Sequence, residues 1–554
     1  MRGRNVFMDS LVGHGVEYIF GNPGTTESPL IDSLADYPDL NYVVALHEGV
    51  AVGAAGHYAQ ASGKTGIVNL HVAPGLGNGI GMLYSAYKAN SPMIVTAGQQ
   101  DTRLRLDEPV LGHDLVAMAA PVTKWSVQVE RADEMAPILR RAFKIAHEAP
   151  SGPVFVALPI DVMEGETTAG ALGPDRLYDQ TAADPDGVEE LARLLLAAQA
   201  PAIIAGDQVA RSGAGAALVR LAEAIGADVW HELLHMQAAF PSGHASARGP
   251  LPGDARGIAK ALSDADVVLL IGGGFFDDVW YAPGRHFAGS AKVAQIEESA
   301  ATLAHKQHLD LGLVGNLRVA LEAVGDGIAR LATAPERVAA ADRNAHLADR
   351  KRGEIDAQQG RAERSWQRQP PSMARVMAEL QAAAPADVII VDESITASID
   401  LARTLEIGGP GDYFGARGGG IGQGIAGALG VKVAAPDRPV MTISGDGSAM
   451  YSIQALWTAA HHDLAIVFVI LANQEYRVLK HNLDAYRQRF EVPSNNPYVN
   501  MDLTAPSLDF AALAEGMGVG ATRVATGDDL GPALRTAFAA GKPHLVQVAI
   551  EGKV

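Results

Sequence analysis

Short runs of β-branched residues recur along this 554-residue chain, and a stretch with helical spacing of apolar residues follows most of them. Runs such as TGIVNLH, PMIVTAG and LAIVFVILAN are almost entirely apolar, as expected of strands buried on both faces. Strands that alternate with helical patterns form βαβ units and a parallel sheet. The alternation therefore predicts an α/β fold built from doubly wound parallel sheets.

The alternation occurs in three regions that two polar segments separate. The Gly- and Asp-rich segment EGETTAGALGPDRLYDQTAADPDG follows the first region, and the charged, helix-prone segment DRNAHLADRKRGEIDAQQGRAERSWQRQPPS follows the second. We therefore expect three doubly wound domains, at residues 1–165, 186–335 and 372–554, each of a usual domain size.

Composition excludes several classes of function. The chain has 44 basic and 63 acidic residues, and a net charge of −19 disfavours binding to nucleic acid or to an anionic membrane. The absence of cysteine excludes disulfides and thiolate catalysis. The N-terminal segment has no apolar stretch of signal-peptide length, and the longest apolar run, LAIVFVILA, is about half a membrane span. We expect a cytoplasmic protein.

The motif GDGS lies where the apolar run PVMTIS ends and a helical pattern begins. Gly445 and Gly447 let the backbone approach a ligand, and the amides of a following helix favour a phosphate, whereas Asp446 suits a divalent cation bound to that phosphate. The next apolar run ends at Asn473, so a parallel sheet would bring both side chains to one edge. With the backbone carbonyl of Glu475 they form an oxygen-only ligand set, which Mg²⁺ prefers. The alternative is a tight turn with a capping aspartate.

The arrangement of GDGS and the asparagine resembles the signature of thiamine-diphosphate-dependent enzymes. That family has a glutamate directly after a strand of its first domain, and VVALHEG supplies Glu48 at this point. The resemblance implies that Glu48 shares a proton with the aminopyrimidine ring of the cofactor, in an apolar and largely dry pocket. Outside that family, a glutamate at the start of a helix is usually a partner of the helix dipole.

The glycine-rich run ARGGGIGQGIAGALG lies between the segment DVIIVDES and GDGS. By resemblance, Ile421 supports the bent form of the cofactor and the Gly419 carbonyl accepts a hydrogen bond from its aminopyrimidine. The resemblance also implies a set of residues around the diphosphate: Ser394, Thr396, Gly445, Asp446, Gly447, Ser448 and Asn473. The alternative for the glycine run is close packing of helices.

Longer stretches resemble benzoylformate decarboxylase and the related 2-oxo acid decarboxylases, among them GNPGTTE, LHEGVAVGAAGHYAQASGKTGIVNLH, SPMIVTAGQQ and GDGSAMYSIQALWTAA. Thr25, Glu48 and His71 each follow a different predicted strand, so parallel strands would bring them to one sheet edge. The resemblance implies that His71 transfers protons and that the Thr25 hydroxyl holds the substrate carboxylate. The alternatives are a core histidine and a turn residue.

Two segments depart from the decarboxylase pattern. The family places a second catalytic histidine in the middle domain, where this chain has Val279 and Trp280, with His286 some residues later. Proton transfer is therefore expected to be arranged differently.

The second departure is the segment QEYRVLKHNLDAYRQRF after Asn473. By resemblance, Val478, Leu479 and Asn482 line the substrate pocket. The same segment adds three basic residues, Arg477, Lys480 and His481. They form either a solvated face or a contact with a carboxylated substrate, a phosphorylated substrate or coenzyme A.

These features predict a lyase that uses thiamine diphosphate and Mg²⁺ to decarboxylate a 2-oxo acid to an aldehyde, with an aromatic, benzoylformate-like acid as one candidate. By resemblance we expect a homodimer or homotetramer with active sites shared between subunits. Two alternatives keep the cofactor: an acetolactate-synthase-like carboligase, and a 2-hydroxyacyl-CoA lyase. A third alternative is a non-catalytic α/β nucleotide-binding regulatory protein, in which nothing would require Glu48.

Overall fold

The computed structural model describes residues 1–178, 180–276, 280–281 and 286–552. Its chain forms two compact units. The first comprises Met1–Leu177, Ala383–Thr396 and Ala416–Val554, and the second comprises Tyr178–Ala382 and Ala397–Gly415. Three parallel sheets confirm the predicted α/β class. The three-domain boundaries stay a prediction.

The N-terminal sheet lies in the first unit, and its strands pair in the order β2-β1-β3-β4-β6-β5. The strands are β1 (Tyr18–Gly21), β2 (Asn41–Val44), β3 (Gly66–Leu70), β4 (Met93–Gln99), β5 (Trp125–Gln128) and β6 (Pro153–Pro159). Every pair is parallel. Strands β3, β4 and β6 are buried at every residue, because helices cover both faces of the sheet.

The second unit contains a six-stranded parallel sheet in the order β12-β11-β10-β7-β8-β9. Its strands are β7 (Pro201–Ala205), β8 (Asp228–His231), β9 (Ala247–Pro250), β10 (Val267–Ile271), β11 (Lys292–Glu297) and β12 (Leu311–Val314). The segments that follow β7 and β10 lie very close together, because a Cβ at Gly206 would overlap the backbone of Gly272 and Gly273. The fully buried Glu232 carboxylate accepts hydrogen bonds there from the Asp207, Gly274 and Phe275 amides.

The third sheet is also parallel, and its five longer strands run in the order β13-β15-β16-β18-β17. These five strands are β13 (Ile389–Glu393), β15 (Val440–Gly445), β16 (Ile466–Ala472), β17 (Gly520–Val524) and β18 (His544–Ala549). The two-residue strand β14 (Tyr413–Phe414) belongs to the second unit. In the register of β15 with β16, Gly445 lies opposite Leu471. Asp446 and Asn473 therefore leave the sheet at the same edge.

Helices connect these strands. In chain order they are α1 (Gly3–Gly13), α2 (Ser28–Ser33), α3 (Glu48–Ser62), α4 (Val72–Lys88), α5 (Leu115–Ala119), α6 (Met135–His147), α7 (Ile160–Glu164), α8 (Pro185–Ala197), α9 (Asp207–Arg211), α10 (Gly215–Ile225), α11 (Ala255–Ala261), α12 (Leu317–Leu331), α13 (Ala334–Arg364), α14 (Met373–Ala383), α15 (Ser398–Thr404), α16 (Gln423–Ala434), α17 (Asp446–Ala449), α18 (Ala455–His461), α19 (Arg477–Arg489), α20 (Phe510–Gly516) and α21 (Gly527–Ala539). Short 3₁₀ helices include Thr25–Glu27 and Ile395–Ala397. Across the described ranges, each helix is too short or too polar to span a bilayer.

Helices α3 and α16 are buried along almost their whole lengths and pack against each other within the first unit. Glycines allow the close approach: a Cβ at Gly430 would overlap the Ala54 carbonyl, and one at Gly53 would lie 2.9 Å from the Ala426 side chain. The second half of the glycine-rich run therefore serves helix packing. Its first half, up to Gly422, forms a loop at the third sheet.

Candidate active site

Three neighbouring strands of the N-terminal sheet bring Thr25, Glu48 and His71 to one edge. Strand β1 pairs with both β2 and β3, so that Gly21 lies opposite Val44 on one side and Asn69 on the other. The three segments that follow these strands start at the same carboxyl edge. This grouping is the one that the sequence predicts.

Glu48 is the first residue of α3 and is only 6% exposed. Neutral amides hold its carboxylate: the Asn78 Nδ2 donates to Oε2 at 3.0 Å, and the Asn22 Nδ2 donates to Oε1 at 3.4 Å. A Cβ at Gly75 would lie 3.1 Å from Oε1, so the α4 backbone approaches the carboxylate closely. Glu48 is therefore buried, and an apolar pocket around it stays a prediction.

His71 occupies the N-cap position of α4, and its ring contacts a buried carboxylate that the sequence alone does not identify. The Nδ1 atom lies 2.8 Å from Glu27 Oε2, and the Glu27 side chain is 1% exposed. Because a carboxylate only accepts hydrogen bonds, this contact places the proton on Nδ1 and leaves Nε2 to exchange protons with a ligand. Glu27 is thus the positioning residue for His71.

Three further donors fix the Glu27 carboxylate. Oε2 accepts from the Gly24 amide at 2.8 Å, and Oε1 accepts from the Gly98 amide at 2.9 Å and from the Thr26 hydroxyl at 2.7 Å. A Cβ at Gly98 would overlap the Glu27 carboxylate, and one at Gly24 would overlap the His71 ring. Gly24, the second glycine of GNPG, must therefore be glycine for the His71 ring to pack in this position. The final glutamate of GNPGTTE is the sequence signal that could have identified this residue.

Thr25 opens the 3₁₀ helix Thr25–Glu27 with an exposed side chain. Its carbonyl accepts a hydrogen bond from the Ser28 hydroxyl at 2.8 Å. The adjacent Thr26 is 5% exposed and its hydroxyl is bound to Glu27. Of the two threonines, Thr25 is therefore the exposed one.

Three non-glycine residues beside the predicted site adopt positive φ angles. Val72 (φ 40°) directly follows His71, Ile395 (φ 52°) lies between Ser394 and Thr396, and Gln474 (φ 58°) directly follows Asn473. For β-branched residues this conformation is an outlier, and it costs about 1–3 kcal/mol at each position. Such strain persists where surrounding contacts enforce it, and it concentrates at functional sites.

Asp446 begins the four-residue helix α17 and is 4% exposed. Oδ1 accepts from the Gly447 amide at 2.8 Å, and Oδ2 accepts from the Gln474 amide at 2.6 Å. Burial raises the pKa of this carboxyl group, against the lowering effect of those hydrogen bonds. Gly447 must be glycine, because a Cβ there would lie 2.6 Å from the Tyr476 ring. The longer helix predicted immediately after GDGS begins only at Ala455, beyond a turn.

The residues at this edge fit a hard divalent cation. Asp446 supplies carboxylate lone pairs, Asn473 supplies an amide oxygen that already accepts from the Glu475 amide at 3.0 Å, and Glu475 supplies a backbone carbonyl. The Glu475 carboxylate is not available, since it binds Arg477 and Lys480. Within the described ranges, no three His, Cys, Asp or Glu side chains converge as a metal site. A site here would depend on one carboxylate and neutral oxygens.

The turn after β13 places Ser394 and Thr396 near the same edge. The Ser394 hydroxyl donates to Asp392 Oδ1 at 2.6 Å, and the Ser394 amide donates to the same oxygen at 2.8 Å. Thr396 is half-buried in the 3₁₀ helix Ile395–Ala397. The contribution of both hydroxyls to a diphosphate stays a prediction, and Ser394 would have to redirect its hydroxyl hydrogen.

A second buried glutamate, which the sequence analysis also misses, organises the glycine loop. Glu393 is 1% exposed and accepts hydrogen bonds from the amides of Gly422 (2.7 Å), Gln423 (3.0 Å) and Gly424 (2.9 Å) at the start of α16. Burial raises its pKa to about 7. The Gln423 side chain donates to the Gly420 carbonyl at 2.6 Å. These contacts fix the loop that carries Gly419, which is exposed, and Ile421, which is half-buried.

Helix α19 presents Val478, Leu479 and Asn482 on one side, and Leu479 is 44% exposed. Two of its basic residues, Arg477 and Lys480, do not form the solvated face that is one of the two alternatives predicted from the sequence. Arg477 donates to Glu475 at 3.1 Å, and Lys480 is bound to Glu475 and to Asp502. The contact of these two cations with an anionic substrate is disfavoured for the same reason. His481 is exposed.

The structure describes only some of the residues at which the middle domain departs from the decarboxylase pattern. Val279 lies outside the described residues. Trp280 is half-buried, and the His286 ring stacks on the Phe276 ring at a centroid distance of 4.1 Å. Both residues belong to the second unit, and a catalytic role for either stays a prediction.

Comparisons with known proteins identify the family. Three family models match the chain: the thiamine pyrophosphate enzyme N-terminal TPP binding domain at residues 1–118, the central domain at 188–324 and the C-terminal TPP binding domain at 396–548. The chain is 34% identical over 539 residues to benzoylformate decarboxylase of Pseudomonas aeruginosa, covering 97% of this chain and 96% of that protein. The chain belongs to the thiamine pyrophosphate enzyme family.

Two further relatives show the range of this thiamine pyrophosphate enzyme family. The thiamine diphosphate-dependent 4-hydroxybenzoylformate decarboxylase of Rhodococcus jostii RHA1 superposes with a TM-score of 0.86 at 28% identity, covering 100% of both chains. The acetolactate synthase isozyme 3 large subunit of Escherichia coli (strain K12) is 26% identical over 495 residues, covering 87% of this chain and 83% of that protein. This protein is therefore a thiamine diphosphate-dependent enzyme of the decarboxylase and acetolactate synthase family.

Proposed function

We propose that this enzyme decarboxylates a 2-oxo acid to an aldehyde without oxidation, using thiamine diphosphate and Mg²⁺. The observation that carries the proposal is the Glu27–His71 contact of 2.8 Å, because it holds a histidine ring for proton transfer at the sheet edge that also carries Glu48. When bound, the cofactor supplies an electron sink for the carbanion that loss of carbon dioxide leaves.

The third sheet would hold the charged end of the cofactor. Asp446, the Asn473 amide oxygen and the Glu475 carbonyl would bind Mg²⁺, which neutralises part of the diphosphate charge. The turn residues Gly445, Gly447 and Ser448 would approach the diphosphate closely, together with Ser394 and Thr396. In support of this assignment, the Asp446 carboxylate is buried and its two oxygens are oriented by backbone amides.

Glu48 would hold the proton that it shares with the aminopyrimidine ring. Its Oε1 is the less engaged oxygen, since Asn22 donates to it at 3.4 Å whereas Asn78 donates to Oε2 at 3.0 Å. The loop before α16 would support the ring from the other side, with Ile421 as the bulky residue and the Gly419 carbonyl as an acceptor. Glu393 fixes that loop through three backbone amides.

The substrate would meet the first-domain edge. The hydroxyl of the exposed residue Thr25 would hold its carboxylate, and His71 would exchange a proton through Nε2, since Nδ1 is bound to Glu27. Val478, Leu479 and Asn482 would line the pocket for the rest of the substrate. The relatives that act on benzoylformate and 4-hydroxybenzoylformate support an aromatic 2-oxo acid.

A carboligase is the second candidate, because the acetolactate synthase of Escherichia coli is also similar to this chain. The deciding experiment incubates the enzyme with thiamine diphosphate, Mg²⁺ and a panel of aromatic and aliphatic 2-oxo acids, and follows carbon dioxide, aldehyde and ligated product separately. Equal amounts of carbon dioxide and aldehyde support the decarboxylase. Carbon dioxide with a 2-hydroxy ketone instead of aldehyde supports the carboligase, and no carbon dioxide from any acid overturns both.

We also propose, by resemblance to the family, a homodimer or homotetramer with active sites shared between subunits. Sedimentation of the cofactor-loaded enzyme tests the oligomeric state. A monomer that turns over at full rate would contradict it.

A further inference from the structure

The basic residue Lys480 of α19 lies beside the turn Asn473–Glu475, to which we assign two of the cation ligands. Lys480 is 8% exposed, so the side chain is buried rather than part of a solvated face. Its role, which rests on the proposed cation site, is to keep the cation ligands of this turn in position.

The turn has a conformation that its own sequence does not favour. Gln474 has φ 58° although it is not glycine, and its amide donates to Asp446 Oδ2 at 2.6 Å. The Asn473 side-chain oxygen accepts from the Glu475 amide at 3.0 Å. A left-handed residue between the two ligands relaxes unless surrounding contacts oppose it. The turn therefore needs support from outside.

A strap formed by residues 501–503 supplies part of this support. The Leu503 amide donates to the Gln474 carbonyl at 2.7 Å, and the Tyr476 amide donates to the Met501 carbonyl at 2.8 Å. Glu475 and Asp502 face each other as an antiparallel bridge. The strap and the turn thus form a short two-stranded ribbon at the edge of the proposed cation site.

Ion pairs connect the turn to the strap within this ribbon. The Glu475 side chain is 5% exposed, accepts from Arg477 Nε at 3.1 Å and is also bound by Lys480 Nζ. The same Lys480 Nζ donates to Asp502 Oδ1 at 2.7 Å. Removing Lys480 would leave a buried carboxylate with one cation instead of two, and it would cut the only described charged link from the turn to the strap.

We propose that Lys480 is a positioning residue for the cation site. By bridging Glu475 of the turn and Asp502 of the strap, it holds the strained turn in the conformation that presents Asn473 and the Glu475 carbonyl beside Asp446. Outer contacts of this kind orient metal ligands, and their loss lowers metal affinity by about 10- to 100-fold. The charge of Lys480 thereby has a structural role that does not involve the substrate.

The test measures Mg²⁺ affinity rather than turnover. The full-length enzyme is stripped of metal with chelator, and the Mg²⁺ dependence of thiamine diphosphate binding is followed by calorimetry for the wild type and K480M. The matched control is K432M, because Lys432 is 9% exposed and its Nζ donates to two carbonyls, of Pro436 (2.7 Å) and Arg438 (2.8 Å). We expect K480M to need about 10- to 100-fold more Mg²⁺ and K432M to match the wild type. K480R should restore part of the affinity.

D502N keeps the test decisive if K480M does not fold, because the Asp502 side chain is 61% exposed and its loss is tolerated more easily. We expect a smaller shift of Mg²⁺ affinity in the same direction. Unchanged Mg²⁺ affinity in D502N refutes the bridge, and unchanged affinity in K480M refutes the positioning role. A wild-type enzyme that binds no thiamine diphosphate in a Mg²⁺-dependent way refutes instead the proposed cation site, and so separates the two failures.

Discussion

Replacing Glu27 by glutamine tests whether this residue orients His71. Glu27 Oε2 accepts from the Gly24 amide and His71 Nδ1, and Oε1 accepts from the Gly98 amide and the Thr26 hydroxyl. In E27Q one of these oxygens becomes an NH₂ group, which cannot accept. Whichever way the amide is turned, one buried backbone N–H faces a second donor.

The structure sets the size of the expected effects. An unpaired buried donor costs about 1–3 kcal/mol of stability. If the amide group faces His71, the ring takes the other tautomer and Nε2 carries the proton at the wrong stage. General acid–base catalysis typically contributes about 10²–10⁴-fold, so we expect kcat to fall by that factor, or about 3–5 kcal/mol of transition-state stabilisation. KM should change much less, because Glu27 is buried and does not reach the substrate.

The assay measures the initial rate of carbon dioxide release as a function of 2-oxo acid concentration. E17Q serves as the control, because the exposed Glu17 binds only Lys64 at the surface among its described ion pairs, and this variant should match the wild type. If Glu27 acts through His71, the double variant E27Q/H71A should be no slower than H71A. Wild-type kcat in E27Q, or fully additive losses in the double variant, would refute the positioning role.

Three further predictions concern the same site. E48Q should abolish turnover while the Mg²⁺ dependence of thiamine diphosphate binding persists, measured by calorimetry; an unchanged rate would instead support a non-catalytic binding protein. G98A should lower kcat and also destabilise the fold by about 1–3 kcal/mol, because its Cβ would overlap the Glu27 carboxylate, whereas a silent G98A would contradict the described close approach. Glu393 has a folded-state pKa of about 7, whereas the usual value for glutamate is 4.5. Its contribution to the free energy of unfolding is therefore fully present below about pH 4.5 and is lost as the pH rises through 7. The loss amounts to at most about 1.4 kcal/mol per pH unit. Chemical denaturation of the wild type and E393Q between pH 4.5 and 8 should show that the difference in stability between them varies with pH, and a pH-independent difference would contradict the shifted pKa.

The main features of the fold follow from local patterns. Apolar runs at β3, β4 and β16 predicted strands buried on both faces, and these strands are buried throughout. The rule that parallel strands share a carboxyl edge was enough to place Thr25, Glu48 and His71 together, and to place Asp446 near Asn473. Both predictions depend only on strand direction and on where each strand ends.

Side-chain partners were harder to predict. The helix predicted to follow GDGS begins only at Ala455, and the motif itself forms the separate four-residue helix α17. The sequence allowed the basic residues of α19 to form a solvent-exposed face, but Arg477 and Lys480 form ion pairs with the buried Glu475. A charge pattern on a helix does not reveal that a carboxylate from a neighbouring turn will lie beneath it.

The sequence by itself determined the α/β class and the family, and it predicted the sheet edges of the candidate site, because strand periodicity and the GDGS and VVALHEG motifs are local properties of the chain. Only the tertiary structure decided which groups hold those motifs in place. Glu27 reaches His71 across 44 residues, Glu393 reaches the glycine loop across 29 residues, and Lys480 reaches Asp502 across 22 residues. The physical reason is that such contacts depend on strand order, on register and on the path of distant loops. A hydrogen bond forms only when its two atoms come within about 3 Å of each other, whereas burial of an apolar side chain tolerates a much less precise position.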